Sequence, residues 1–152
     1  MRKVVKTVLI FLILLAGIIN QNEVYSTSYS HQHRESSYQR AWAEQNNGIC
    51  EYKNDDGTRV DCLTDTHAIE FDFANKWAES IGQALYYKYK TGKRAKVILI
   101  LEHPETQMVY YQRVKALSKI YDFDVDYVTT DILKTDSCNR CSYSDCKCHK
   151  IK

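Results

Sequence analysis

The chain has 152 residues, 44% of them hydrophobic and 12% aromatic, which is enough for one packed domain and short for two. A formal charge of +2 excludes a protein that attracts nucleic acid through bulk charge alone.

Residues 1–26 place Arg2, Lys3 and Lys6 ahead of an uncharged apolar run at 8–19, the layout of a secretory signal. Val24 and Ser26 suit the small positions of a cleavage site, so the expectation is a signal peptide over 1–26, with an uncleaved signal anchor as the alternative. Either way the folded part belongs outside the cytoplasm, periplasmic or secreted. Removing 1–26 takes away three basic residues and Glu23, leaving 18 residues of each sign and a neutral mature chain. Six cysteines in an exported chain point to disulfides before free thiols.

Residues 27–37, TSYSHQHRESS, are polar and aperiodic and read as a flexible linker, with His31 and His33 solvated. Next comes an α/β domain over 38–134. A short helix is expected at 38–46, closed by Asn47-Gly48. ICEYK and TRVDCLT then flank Asn54-Asp55-Asp56-Gly57, a strong hairpin signal. Carried back from that turn, the register sets Cys50 opposite Cys62, and a structural disulfide between them is expected.

Asp65-Thr66 reads as a two-residue loop into HAIEFDF, so Thr64 faces His67, Asp61 faces Glu70 and Arg59 faces Asp72. Strand alternation puts Arg59, Asp61, Ala68, Glu70 and Asp72 on one face, and Val60, Cys62, Ile69, Phe71 and Phe73 on the core face. A helix over 75–90 carries Trp77, Ile81 and Leu85 as its apolar stripe, with Lys76, Gln83 and Tyr87 on the adjoining one. AKVILILE is continuous enough to be a central strand buried on both faces. A helix over 105–121 and a last strand, VDYVTTDI, complete a mixed sheet flanked by helices.

Lys88, Lys90, Lys93, Arg94 and Lys96 form a basic run that reads either as a phosphate-contacting rim for DNA or as a solvated helix end. His67 and His103 read as surface or loop histidines. Residues 135–152 form a Cys-rich tail in which Cys138, Cys141, Cys146 and Cys148 make two disulfides or, with His149, bind Zn²⁺.

Two carboxylates facing one another repel, so Asp61 opposite Glu70 costs stability as pure structure. Mg²⁺ or Mn²⁺ would remove that cost, since such an ion takes a few carboxylate oxygens and keeps its water. The run RVDCLTDTHAIEFDF followed by KWAESIGQALYY resembles the core of the PD-(D/E)XK nuclease superfamily, the restriction-endonuclease-like fold with an αβββαβ core. The resemblance implies that Asp61 is the lone acid, Glu70 the acid of the signature, and Gln83 and Tyr87 a QxxxY helix motif. It also makes Glu44 a candidate acid on the first helix. Asp72 stands where the signature lysine belongs, so Asp72 becomes a further ligand or pairs with Arg59, and Lys76 becomes the candidate replacement. The activity that the resemblance implies is metal-dependent phosphodiester hydrolysis, endo- or exonucleolytic, with a disulfide-stapled, catalytically inactive binding module as the alternative.

Overall fold

The computed structural model describes residues 30–134; the leader and the Cys-rich tail, with its four cysteines, lie outside the described residues. In chain order the elements are α1 (Glu35–Asn46), β1 (Ile49–Lys53), β2 (Arg59–Leu63), β3 (His67–Phe73), a 3₁₀ turn (Ala74–Lys76), α2 (Trp77–Thr91), β4 (Arg94–Leu101), α3 (Pro104–Tyr121), β5 (Asp124–Thr129) and a closing 3₁₀ turn (Thr130–Lys134). The strands lie in the order β1-β2-β3-β4-β5, antiparallel from β1 to β3 and parallel from β3 to β5. The expected succession α, β, β, β, α, β, α, β is therefore the one observed.

Turn chemistry explains the register of the antiparallel half. Asn54 donates its backbone N–H to Thr58 O at 2.9 Å, and Gly57, at φ +89°, closes the turn by donating to Asn54 O. Only a residue without a Cβ adopts that conformation cheaply. Cys50 sits opposite Cys62 as the turn predicts. The tighter loop holds Thr64 N to His67 O at 2.9 Å and sets Leu63 against Ala68 and Cys62 against Ile69.

β4 is buried on both faces because helices cover both. Ile98 and Ile100 pack with Phe71, Phe73 and Tyr38 in the core under α1. Val97, Leu99 and Leu101 pack with Ala84 of α2 and Val114 of α3. The stripe expected on α2 is the one used: Trp77, Ile81 and Leu85 pack half-buried against that second core, as do Met108, Tyr111 and Leu117 of α3.

Three differences bear on function. The lead-in expected through residue 37 gives way to structure earlier. His31 stacks on Phe73 at 3.4 Å between ring centroids, and α1 begins at Glu35 instead of Tyr38. The anchor is Glu102, at the end of β4: its buried carboxylate accepts from Gln32 N at 2.9 Å, His33 N at 3.1 Å and the Tyr38 hydroxyl at 2.8 Å, and pairs with His31 Nδ1 at 3.2 Å. A polar stretch without apolar period becomes ordered because one desolvated carboxylate collects its donors.

The second difference is in β2. Val60, expected beside Cys62 and Phe71, packs instead with Leu63, Ala68 and Tyr87 on the α2 side. Strand alternation is broken next to it, where Glu51 adopts a left-handed φ of 57° across from Asp61. The third is charge placement. Arg59 pairs at 3.9 Å with Glu51, both side chains being more than half exposed, and not with Asp72.

Candidate active site

Asp61, Glu70, Asp72 and Lys76 lie where β2, β3 and the following 3₁₀ turn meet, near enough for their charges to act on one another. β2 does not pair with β3 through Asp61; the ladder between them runs only through Leu63 and Cys62. In place of a backbone rung, the Asp61 side chain reaches across and accepts the Phe71 N–H at Oδ2, 2.8 Å away. Asp61 thus faces β3 at the expected position, held by its side chain.

The acids of β3 are buried. Glu70 is 4% exposed and Asp72 3%. Burial, and after it the negative charge of Asp61, pushes the Glu70 carboxyl well above the usual range. Burial raises Asp61 as well, against the opposing pull of the Phe71 N–H. Asp72 is pushed up to about 6 by burial, although the Lys76 ammonium and the Phe73 N–H both work to lower it. One Glu70 oxygen, Oε2, is buried and has no hydrogen-bond partner.

Lys76 is the candidate replacement for the lysine that the resemblance expects at position 72. Its Nζ lies 3.7 Å from Asp72 Oδ1, one helical turn along the chain, while its side chain stays 53% exposed. An ammonium is thus present beside the acids, carried by the turn after β3 in place of β3 itself.

The first helix contributes an acid, but it is not Glu44, which is exposed on the far part of α1. Glu35 is pushed up to about 7, by burial first and then by the charges of Asp61 and Asp72. Gln39 steadies it, donating Nε2 to Glu35 Oε1 at 3.0 Å. An acid in the first turn of a helix is the signal that would have found Glu35, and the polar run around it concealed the helix start. Glu35→Gln should therefore lower any activity of this site about 10-fold or more, while Glu44→Gln leaves it unchanged, as steady-state rates on one substrate would show.

From α2, Tyr87 is 7% exposed, and burial followed by the charges of Glu70 and Asp61 raises its hydroxyl well above its usual value. That hydroxyl donates to Gln83 Oε1 at 3.4 Å, so the two helix residues of the expected motif are bonded to each other.

The basic run does not form a free phosphate rim. Lys88 pairs with Asp122 at 2.9 Å, Lys90 with Asp55 and Asp56, Arg94 with Asp124 at 2.9 Å and Lys96 with Asp126 at 3.5 Å. Lys93 donates to Asp65 O at 2.7 Å. His67 also serves structure, its Nε2 lying 2.7 Å from Asp124 Oδ2, and His103 stays exposed beside Glu105.

The donor set suits a hard divalent ion in chemistry, all carboxylate, with the orphaned Glu70 oxygen as its clearest invitation. Among the described residues no three His, Cys, Asp or Glu side chains converge as a ready-made metal cage. Asp61 and Glu70 supply two donors, and Mg²⁺ characteristically completes its shell with water and substrate oxygens. In place of the expected disulfide, Cys50 and Cys62 face each other unbonded, their Sγ atoms 3.3 Å apart. No helix among the described residues is long and apolar enough to cross a membrane. Comparison with family models, with curated proteins and with solved structures returned no match.

Proposed function

We propose that this protein is a divalent-metal-dependent phosphodiesterase of the restriction-endonuclease-like fold, acting on DNA as an endo- or exonuclease outside the cytoplasm. One observation carries the reading: Glu70 and Asp72 are buried carboxylates on one strand beside the half-buried Asp61, and one Glu70 oxygen has no hydrogen-bond partner. A fold that concentrates like charge out of water destabilises itself unless a cation completes the arrangement. The element order supports the reading too, with the lone acid on the second strand and the signature acid on the third.

Asp61 and Glu70 would hold Mg²⁺ or Mn²⁺. When bound, such an ion lowers the pKa of a coordinated water and offsets charge on a phosphodiester oxygen. The chain's own groups have distinct tasks. Phe71 N–H fixes the direction of Asp61, and Gln83 fixes the Tyr87 hydroxyl beside Glu70. Glu35, near 7, exchanges a proton readily at neutral pH and suits the general base. Lys76 supplies the positive charge for the phosphoryl oxygens, with Asp72 as its anchor.

The test is hydrolysis of single- and double-stranded DNA with Mg²⁺ or Mn²⁺, beside an Asp61→Ala, Glu70→Ala double variant. The expected loss is about 1,000-fold or more, the equivalent of several kcal/mol of transition-state stabilisation. Equal rates in the two preparations would sink the reading. Lys76→Met should cost about 100-fold in turnover while leaving Mg²⁺-induced stabilisation intact, because its charge acts on substrate and not on the ion.

A second reading, a non-catalytic binding module, is favoured by the paired state of the basic run. Each of its cations already has an acidic or carbonyl partner, so little charge is left over to release counterions from a nucleic-acid backbone. It predicts no hydrolysis by either preparation and no gain in melting temperature with millimolar Mg²⁺ or Mn²⁺.

A further inference from the structure

We propose that Cys50 and Cys62 are a redox-active dithiol, closed to a disulfide by a disulfide-bearing oxidant and acting as a clamp on the hairpin that carries Asp61. Such a clamp operates whether or not the site hydrolyses phosphodiesters. The two residues are partners across β1 and β2, and their sulfurs are 3.3 Å apart, so closure needs a contraction of the gap and no rearrangement of the strands. Their environments differ. Cys62 is completely buried, whereas Cys50 is half-buried and borders solvent on the edge strand.

That difference orders the chemistry. The Cys50 thiolate attacks one sulfur of the oxidant's disulfide, whose S–S bond breaks and releases one thiol. The Cys62 sulfur then gives up its proton and attacks Cys50 Sγ, releasing the second thiol. Two thiols are oxidised, and the two electrons and two protons end on the oxidant, which becomes two thiols.

The location gives closure a consequence. Cys62 directly follows Asp61, and the left-handed Glu51 lies between Cys50 and the rest of β1. The Cys62 thiol also donates to the Gln39 carbonyl at 3.6 Å, and the Gln39 side chain in turn holds Glu35. A disulfide sulfur has no proton to donate, so oxidation tightens the β1–β2 hairpin and releases that link to α1 together.

The experiment uses the full chain, reduced, exposed to oxidised glutathione, alkylated under denaturing conditions and mapped by mass spectrometry. The expected product is a Cys50–Cys62 linked peptide about two hydrogens lighter than its separate halves, restored by dithiothreitol. Its formation should raise the melting temperature by about 10–20 °C, as closing a short loop does in a domain of this size. Cys50→Ser keeps the buried thiol and should fold, yet show none of that rise, which separates this bridge from any formed in the tail. Alkylation of both residues, a persistent glutathione adduct on Cys50, a link from either residue to a tail cysteine, or an equal rise in Cys50→Ser would each overturn the proposal.

Discussion

Stripped of divalent ions, the protein should become less stable as the pH rises from about 4 to 7, the reverse of ordinary acid denaturation. A carboxyl whose folded pKa lies above its unfolded value keeps its proton longer in the folded state. Between those two values the folded chain binds more protons than the unfolded one, so stability falls with rising pH. Asp72 moves from 3.8 to about 6, and Glu35 from 4.5 to about 7. The window therefore runs from about pH 4 to 7, and Asp72 alone is worth about 3 kcal/mol across it. For a domain of this size that corresponds to about 10–15 °C in melting temperature, although the acids titrate together and their effects do not simply add. Acids held below their usual range, such as Asp122 and Asp131, act only beneath this window.

Mg²⁺ at about 100 times its dissociation constant should return about 2.7 kcal/mol at pH 7.5 and much less at pH 5, where protons compete for the same oxygens. Glu70→Gln keeps the shape of the protonated acid and removes a ligand. It should be no less stable than the parent in chelator and insensitive to Mg²⁺. Melting curves over that pH range, with chelator and with Mg²⁺, decide the matter. Stability that climbs steadily from about pH 4 to 7 in chelator, or an Mg²⁺ gain independent of pH, would refute the role given to the cluster.

Glu102→Gln should have the second largest effect, a loss of about 3 kcal/mol, because a buried carboxylate with several donors is replaced by an amide whose NH₂ group confronts them. Its sign in pH is opposite to that of the cluster. The hydrogen bonds from Gln32 N, Tyr38 and His33 N hold Glu102 below its usual value in spite of burial, so its contribution is present above the unfolded pKa and is lost as the pH falls through the folded one. Tyr38→Phe removes one donor and should cost about 1–1.5 kcal/mol. Denaturant melts of the two variants give the comparison, and a Glu102→Gln protein within about 0.5 kcal/mol of the parent would show that the anchored segment contributes little. Because the anchored residues run directly into Glu35, Glu102→Gln should also lower activity through the first helix.

What could be read from the sequence divides along the range of the forces involved. The two hairpin turns are local: Asn54-Asp55-Asp56-Gly57 dictated the register that put Cys50 on Cys62, and Asp65-Thr66 the one that brought Asp61 to the strand bearing Glu70. The apolar runs of β4 and the helices were equally plain. Glu35 was hidden because its significance comes from acids distant in the chain, and Glu102 because two of its donors are backbone amides of a segment with no pattern. The displacement of Val60 is accompanied by a left-handed backbone at Glu51 on the neighbouring strand, a residue type that rarely signals that conformation.

The hydrogen bond from Phe71 N–H to Asp61 also bears on how faithfully the sheet assembles. A strand slipped by one residue would send every side chain to the wrong face, and hairpins of ordinary composition resist such slips only through their turns. Here a slip would also withdraw the Asp61 carboxylate from the one amide it completes, leaving the buried Phe71 N–H unpaired. Asp61 thus proofreads the pairing of β2 with β3, and a chain that has misaligned these strands forfeits stability and its acidic cluster in the same step.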